Sequence, residues 1–191
     1  MPRHYPAIAF TEDVARTQER YGSRALGARL ESMEFDDRRL SDRERAFIEA
    51  RDSFYLATVS ATGWPYLQFR GGPAGFLKVL DERTLAYADF RGNRQYVSTG
   101  NLAGDERVAL FLMDYPGRAR LKLFARAGVH DAAERPDLVA RLEDPSYEAR
   151  VERAVVFRVE AFDWNCPQHI TPRWSEAELA AREGAPEPAS T

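Results

Sequence analysis

Arg91-Gly92-Asn93-Arg94-Gln95 gathers two guanidiniums, two carboxamides and a glycine where strand-like residues give way to a helix-like run. A helix start offers free amide donors and a partial positive charge, and neighbouring guanidinium and amide side chains add a bidentate grip, so the chemistry suggested is capture of a phosphate or carboxylate. The same five residues also fit a plain glycine turn with solvated charges. Arg70 stands immediately before Gly71-Gly72, where glycine lets the backbone approach a flat or phosphorylated ligand closely. An arginine there also suits the edge of a sheet, where charge discourages aggregation. Lys78 interrupts the apolar run Phe76 to Leu80, as a cation at a barrel mouth or as a surface lysine with a buried stem.

A second group of polar and aromatic residues lies near the C-terminus: Trp164, Asn165, Cys166, Gln168, His169 and Arg173. Trp164 beside Pro167 fits core packing or a wall against a flat ring. Cys166 has no neighbouring base and reads as a small hydrophobe rather than a reactive thiol. His169, with an ordinary pKa near 6.5, can donate a hydrogen bond or shuttle a proton, and a structural hydrogen bond is the simpler role. No metal site is expected, because His4, His130 and His169 are scattered and a single cysteine forms no cluster. No nucleophile elbow and no Walker or dinucleotide-binding glycine pattern occurs either.

The elements that must hold these residues follow from periodicity. Ser41 and Glu44 have capping-box spacing, and Ala46, Phe47 and Ala50 continue a stripe, so a helix is expected over 42–51. Weaker helical patterns cover 14–21, with Thr11 as cap, and 26–33. Aromatic and β-branched residues then predict strands over 54–60, 64–70, 76–80, 84–88, 107–113, 120–129 and 154–162. A helix is expected from Asn93 to about Leu102, another over 136–142 opened by Pro136, and a last short one after Ser175. About six strands in hairpin order indicate a mainly β fold, an antiparallel barrel or sandwich with peripheral helices. The domain expectation is a helical extension over 1–40, a barrel over 41–174, and a helix with frayed tail over 175–191.

Twenty-seven basic against 30 acidic residues interleave along 191 positions, for a formal net charge of -3. No stripe of charge would attract nucleic acid, so any anion site must be local. One cysteine excludes an internal disulfide, and no window approaches the roughly 20 apolar residues of a membrane span, so the expected location is the cytoplasm.

Three segments in order carry a resemblance: Gln68-Phe69-Arg70-Gly71-Gly72-Pro73-Ala74-Gly75-Phe76-Leu77-Lys78-Val79-Leu80-Asp81, then Asp89-Phe90-Arg91-Gly92-Asn93-Arg94-Gln95, then Asp163-Trp164-Asn165-Cys166-Pro167-Gln168-His169-Ile170. Together, over about Leu40 to Trp174, they resemble the pyridoxamine 5'-phosphate oxidase-related family of FMN-binding split-barrel proteins. The resemblance implies a six-stranded antiparallel split barrel, a homodimer, and two FMN sites shared across its interface. Arg70, Arg94 and Gln95, with Asn93 beside them and Lys78 less well aligned, match the positions that grip the FMN phosphate. The backbone near Gly71 and Gly72 would face the ring. Arg120, Lys122, Trp164, Asn165, Gln168, His169 and Arg173 match the partner subunit's contribution.

The tail Pro172-Arg173-Trp174 lacks the Arg-x-His motif of authentic pyridoxamine 5'-phosphate oxidases, which leaves the small-molecule substrate open. Related sequences fused to reductase modules imply NAD(P)H or a nicotinamide-dependent reductase as electron donor. The expected function is an FMN-dependent oxidoreductase, the other reading being a module that binds flavin, deazaflavin or haem without turnover.

Overall fold

The computed structural model describes residues 2–164 and 166–183. Four helices come first: α1 (Tyr5–Ala9), α2 (Glu12–Arg20), α3 (Arg24–Ser32) and α4 (Asp42–Glu49). Strands β1 (Ser53–Val59), β2 (Pro65–Gly71), β3 (Lys78–Asp81) and β4 (Thr84–Phe90) follow, then α5 (Val97–Gly104). Strands β5 (Arg107–Asp114) and β6 (Ala119–Asp131), helix α6 (Pro136–Leu142), strand β7 (Val151–Trp164) and helix α7 (Glu176–Glu183) complete the described chain.

All strand pairs are antiparallel, in the order β2-β1-β5-β6-β7-β4-β3. The expected mainly β fold is therefore present, with one strand at each of the seven expected spans in place of the six that the resemblance implies; the four-residue edge strand β3 falls on the span expected over 76–80. The sheet curls on itself. Phe54 of β1 lies 5.5 Å from Tyr87 of β4 and 6.2 Å from Phe157 of β7, although neither strand is a ladder neighbour of β1. These rings join Leu56, Leu110, Leu112, Leu121, Leu123 and Val159 in one buried core. Alternation follows the pleat: on β1, Phe54, Leu56 and Thr58 are buried while Tyr55, Ala57 and Val59 face outward. The edges β2 and β3 do not pair with each other, so the barrel is split.

Helix α4 starts as its sequence requires. Ser41 caps it, and Glu44 reaches back to the Ser41 backbone N–H at 3.0 Å. Helix α5 differs from expectation: it opens at Val97, not Asn93. Arg94 (φ 61°) and Tyr96 (φ 52°) take left-handed backbone conformations that no helix accepts. Tertiary bonds hold this loop, with Arg91 N–H donating to the Arg150 carbonyl at 2.8 Å and Tyr96 OH to Glu152 at 3.1 Å. Helix α1 was not expected. Buried Asp37, 33 residues away, accepts from the His4 N–H at 2.7 Å and also from the Tyr5 N–H at 2.9 Å, so the cap is tertiary. Arg3 also reaches Asp163 at 2.8 Å, which ties the first residues to the end of β7.

Candidate functional site

At the split, side chains from four elements surround a cavity of about 170 Å³. Gln68 and Arg70 come from β2, Asp89 and Phe90 from β4, Ser98 and Thr99 from the first turn of α5, and Arg153 from β7. The loop between β4 and α5 adds Gly92, Asn93, Arg94 and Tyr96. Curling of the sheet makes this meeting possible, since β2 and β4 stand at first and sixth places in its order.

Asp89 is the hub. It is 3% exposed; one oxygen accepts from Arg70 Nη1 at 3.1 Å, the other from Arg153 Nε and Nη2 at 3.0 and 2.8 Å. Burial opposes the Arg153 charge, and the hydrogen bond and attraction of Asp89, with a hydrogen bond to Tyr96 and the charge of Glu152, together outweigh it, so the guanidinium pKa is raised. Beneath them the Tyr87 phenol is pushed up, first by burial and then by the Asp89 charge. Three guanidiniums against one carboxylate line the cavity, an excess of two positive charges. Neither the buried Arg70 Nε nor the Tyr87 OH has a hydrogen-bond partner in the described structure. Arg94 is exposed at the rim and enters no ion pair among the described residues.

The α5 start adds to this field. Its cap residue Tyr96 supplies no side-chain cap, so the first-turn amides beside Ser98 and Thr99 lack one. Cations, a helix start and an unpartnered donor suit an oxyanion, and the volume admits a phosphate group. A whole cofactor does not fit, since complete small-molecule pockets run to roughly 300–1,000 Å³.

Of the residues expected from sequence, the cavity brings together Arg70, Asn93 and Arg94; Gln95 lies beside them in the loop, its N–H donating to Asn93 Oδ1 at 3.1 Å. Gly71 and Gly72 are occupied by packing: a Cβ on either would meet the ring of Phe69 or Phe76 within 2.8 Å. Lys78 lies on β3 opposite Ala86 and does not line the cavity. Arg120 and Lys122 are on β6, the latter 3.5 Å from Asp163 with its ammonium 4.7 Å from the Tyr5 ring centroid. Trp164 donates its indole N–H to Glu44 at 2.7 Å and meets Phe47 edge-on at 4.7 Å. Gln168 and His169 are exposed, and Arg173 covers the Tyr115 ring at 5.1 Å. Asn165 lies outside the described residues.

Sequence reasoning missed Arg153, Asp89, Gln68 and the Ser98-Thr99 pair as cavity residues. Arg153 follows Glu152 at the start of β7, a charge pair that the sequence shows as any strand end would; only its pairing opposite Asp89 places it.

The sequence profile of the pyridoxamine 5'-phosphate oxidase family matches residues 40–165. The chain belongs to that family. A search of curated proteins finds no match. Among solved structures, an FMN-binding protein from Syntrophomonas wolfei is 16% identical with a TM-score of 0.51, over 78% of this chain and 97% of that one. A Clostridium acetobutylicum protein of the pyridoxinephosphate oxidase family, related to general stress protein 26, is 16% identical (TM-score 0.42, 68% and 88% covered). An F420 reductase is 19% identical (TM-score 0.46, 65% and 98% covered). The first of these likenesses confirms the fold. For this member of the pyridoxamine 5'-phosphate oxidase family the matched span contains every strand among the described residues and the entire cavity.

A larger groove of about 430 Å³ lies on the outer face of the sheet. Its floor is Ala57, Val59, Ala109 and Phe124, with His4 and Ile8 on one wall and Arg107, Arg126 and Glu160 among the charged residues that line it. Trp64, Leu67 and Phe69 stand exposed on and beside β2 at 75%, 63% and 58%. No helix among the described residues is long and apolar enough to cross a membrane.

Proposed function

We propose that the chain binds FMN with its phosphate in the cavity at the split and acts as an oxidoreductase on a small molecule. The observation that carries this reading is the excess of two positive charges around a phosphate-sized space at the start of α5. Arg70 and Arg94 hold the phosphate oxygens, with Asn93, Gln95 and the first amides of α5 completing the donor set. The cavity is too small for the isoalloxazine, so the ring extends beyond it. When bound, FMN supplies the electron chemistry, and the protein's part is to bind, orient and shield it.

The ring then needs a second wall, and a second copy of the chain is the proposed source. The exposed Trp64, Leu67 and Phe69 beside an apolar groove form a face suited to burial in a homodimer. Gln168, His169 and Arg173 do not line the cavity of their own chain, which agrees with a role toward the partner's flavin.

The absorption spectrum of the purified protein tests the cofactor: a flavin spectrum supports the reading, whereas a Soret band or a deazaflavin spectrum replaces it. Anaerobic mixing with NADH or NADPH then reads turnover as bleaching of the flavin. Arg94→Ala removes a rim cation that supports no other described contact, so the fold is retained while FMN affinity falls roughly ten- to a hundredfold. Unchanged affinity would sink the assignment of the phosphate to this cavity.

A further inference from the structure

Resting on the reading of the cavity as a phosphate site, we infer that Arg153 of β7 is a further phosphate-binding residue, which Asp89 positions beside Arg70. Arg153 is 12% exposed at its side chain and lines the cavity. Four groups fix it. Asp89 takes Nε and Nη2, Glu152 lies 3.2 Å from Nη2, the Tyr96 ring sits 4.8 Å below the guanidinium carbon, and the β-ladder sets the backbone with Arg153 opposite Asp89. Nη1 takes no part in the hydrogen bonds to Asp89 or in the ion pair with Glu152, and it is the donor assigned to an incoming oxygen.

One cation is enough to balance the charge of one buried carboxylate. Here a single buried Asp89 faces two arginines from strands that are not ladder neighbours, β2 and β7, and both arginines line the same cavity. Glu152 answers Arg153 and also Arg91, and Asp89 answers Arg70 and Arg153, so with Arg94 four guanidiniums meet two carboxylates; the excess of two positive charges is unfavourable unless a further anion joins them. A phosphate dianion matches the excess of two charges, and a planar guanidinium already held by a stacked ring and a carboxylate loses little freedom on binding it. Tyr96 thereby links this arginine to the loop that carries Arg94. Arg153 thus brings a grip from the far end of the chain, in addition to the two phosphate-side segments legible in the sequence.

Riboflavin, which lacks the phosphate, separates a phosphate contact from a structural role. Dissociation constants for FMN and riboflavin are measured by flavin fluorescence on the full chain for wild type, Arg153→Met and Arg153→Lys. Wild type is expected to prefer FMN, and Arg153→Met to lower that preference roughly ten- to a hundredfold with riboflavin affinity unchanged. Arg153→Lys keeps the charge and the Asp89 pair but loses the fork, so the preference falls less, by several-fold. If Arg153→Met does not fold, Arg153→Lys decides alone. A preference equal to wild type in the folded variants overturns this inference while leaving the phosphate site standing. A wild type that does not distinguish FMN from riboflavin overturns both.

Discussion

Two clusters in this barrel share one motif, an arginine over an aromatic ring beside a buried carboxylate, and they differ in what is left over. At the split, Arg153 covers Tyr96 beside Asp89, and Arg70 and Arg94 add cations that no described carboxylate balances in full. Behind α4, Arg43 covers Trp164 at 4.3 Å beside Glu44, which accepts from the Trp164 indole and from Ser41. There every polar group on the ring and the carboxylate has its partner. An incomplete set of charges around a space suits an incoming anion; a complete set around a packed ring is a strut. The resemblance placed Trp164 in the flavin site, and within its own chain it serves as part of the strut.

Removing the hub of the first cluster has the largest expected effect. Asp89→Asn leaves Arg70 and Arg153 facing each other with the carboxylate charge gone, at a cost of about 3 kcal/mol, the lower end for a buried pair because both arginines retain some water. Inorganic phosphate supplies the missing charge, so it restores stability in the variant by more than it adds to wild type. Urea denaturation with and without phosphate reads this. An equal phosphate effect in both proteins would erase the distinction between the clusters.

Glu44→Ala is the matching change in the strut. It strips the Trp164 N–H and the Ser41 cap of their acceptor and costs about 2 kcal/mol. Phosphate should not restore any of it, and the preference for FMN over riboflavin should stay at the wild-type value in the same binding assay.

Glu44 also sharpens the contrast through pH. Burial pushes its carboxyl upward, but hydrogen bonds from the Ser41 hydroxyl, Trp164 and the Ser41 backbone together outweigh burial and hold it below its ordinary value of 4.5. A depressed folded pKa contributes stability that is present above the unfolded value and lost as pH falls through the folded one. Wild type therefore loses this share only below about pH 4.5, and Glu44→Gln flattens that part of the curve. Urea midpoints between pH 3 and 7 measure it, and an unaltered acid slope in the variant would show that Glu44 is not the titrating group.

How much of this was legible in the sequence follows from how local each cause is. The α4 capping box, Pro136 at the start of α6 and the alternation on β1 are set within a few residues, and the chain reads them out directly. The start of α5 is not local. Arg94 and Tyr96 hold left-handed conformations because Glu152, Arg153 and Arg150 anchor the loop from more than 50 positions away. Helix α1 likewise depends on Asp37. In the site, Arg70 and Arg94 were readable because glycines flank them, whereas Arg153 sits beside Glu152 at the start of a strand with no such signal and becomes visible only through its register opposite Asp89.

The smallest effect tests whether the shared motif itself means anything. Arg43→Ala removes the guanidinium from the Trp164 ring at an exposed helix start, and such contacts are worth about 0.5–1 kcal/mol. The Trp164 N–H keeps Glu44, the Phe47 contact remains, and no cavity residue is touched. Urea denaturation should show that small loss while FMN and riboflavin affinities both stay at wild-type values. Arg153→Met removes an equivalent stack from Tyr96 yet is expected to change the ratio of those two affinities. If Arg43→Ala moved the ratio as well, the two clusters would be coupled, and Trp164 would return to the flavin site by way of the partner subunit.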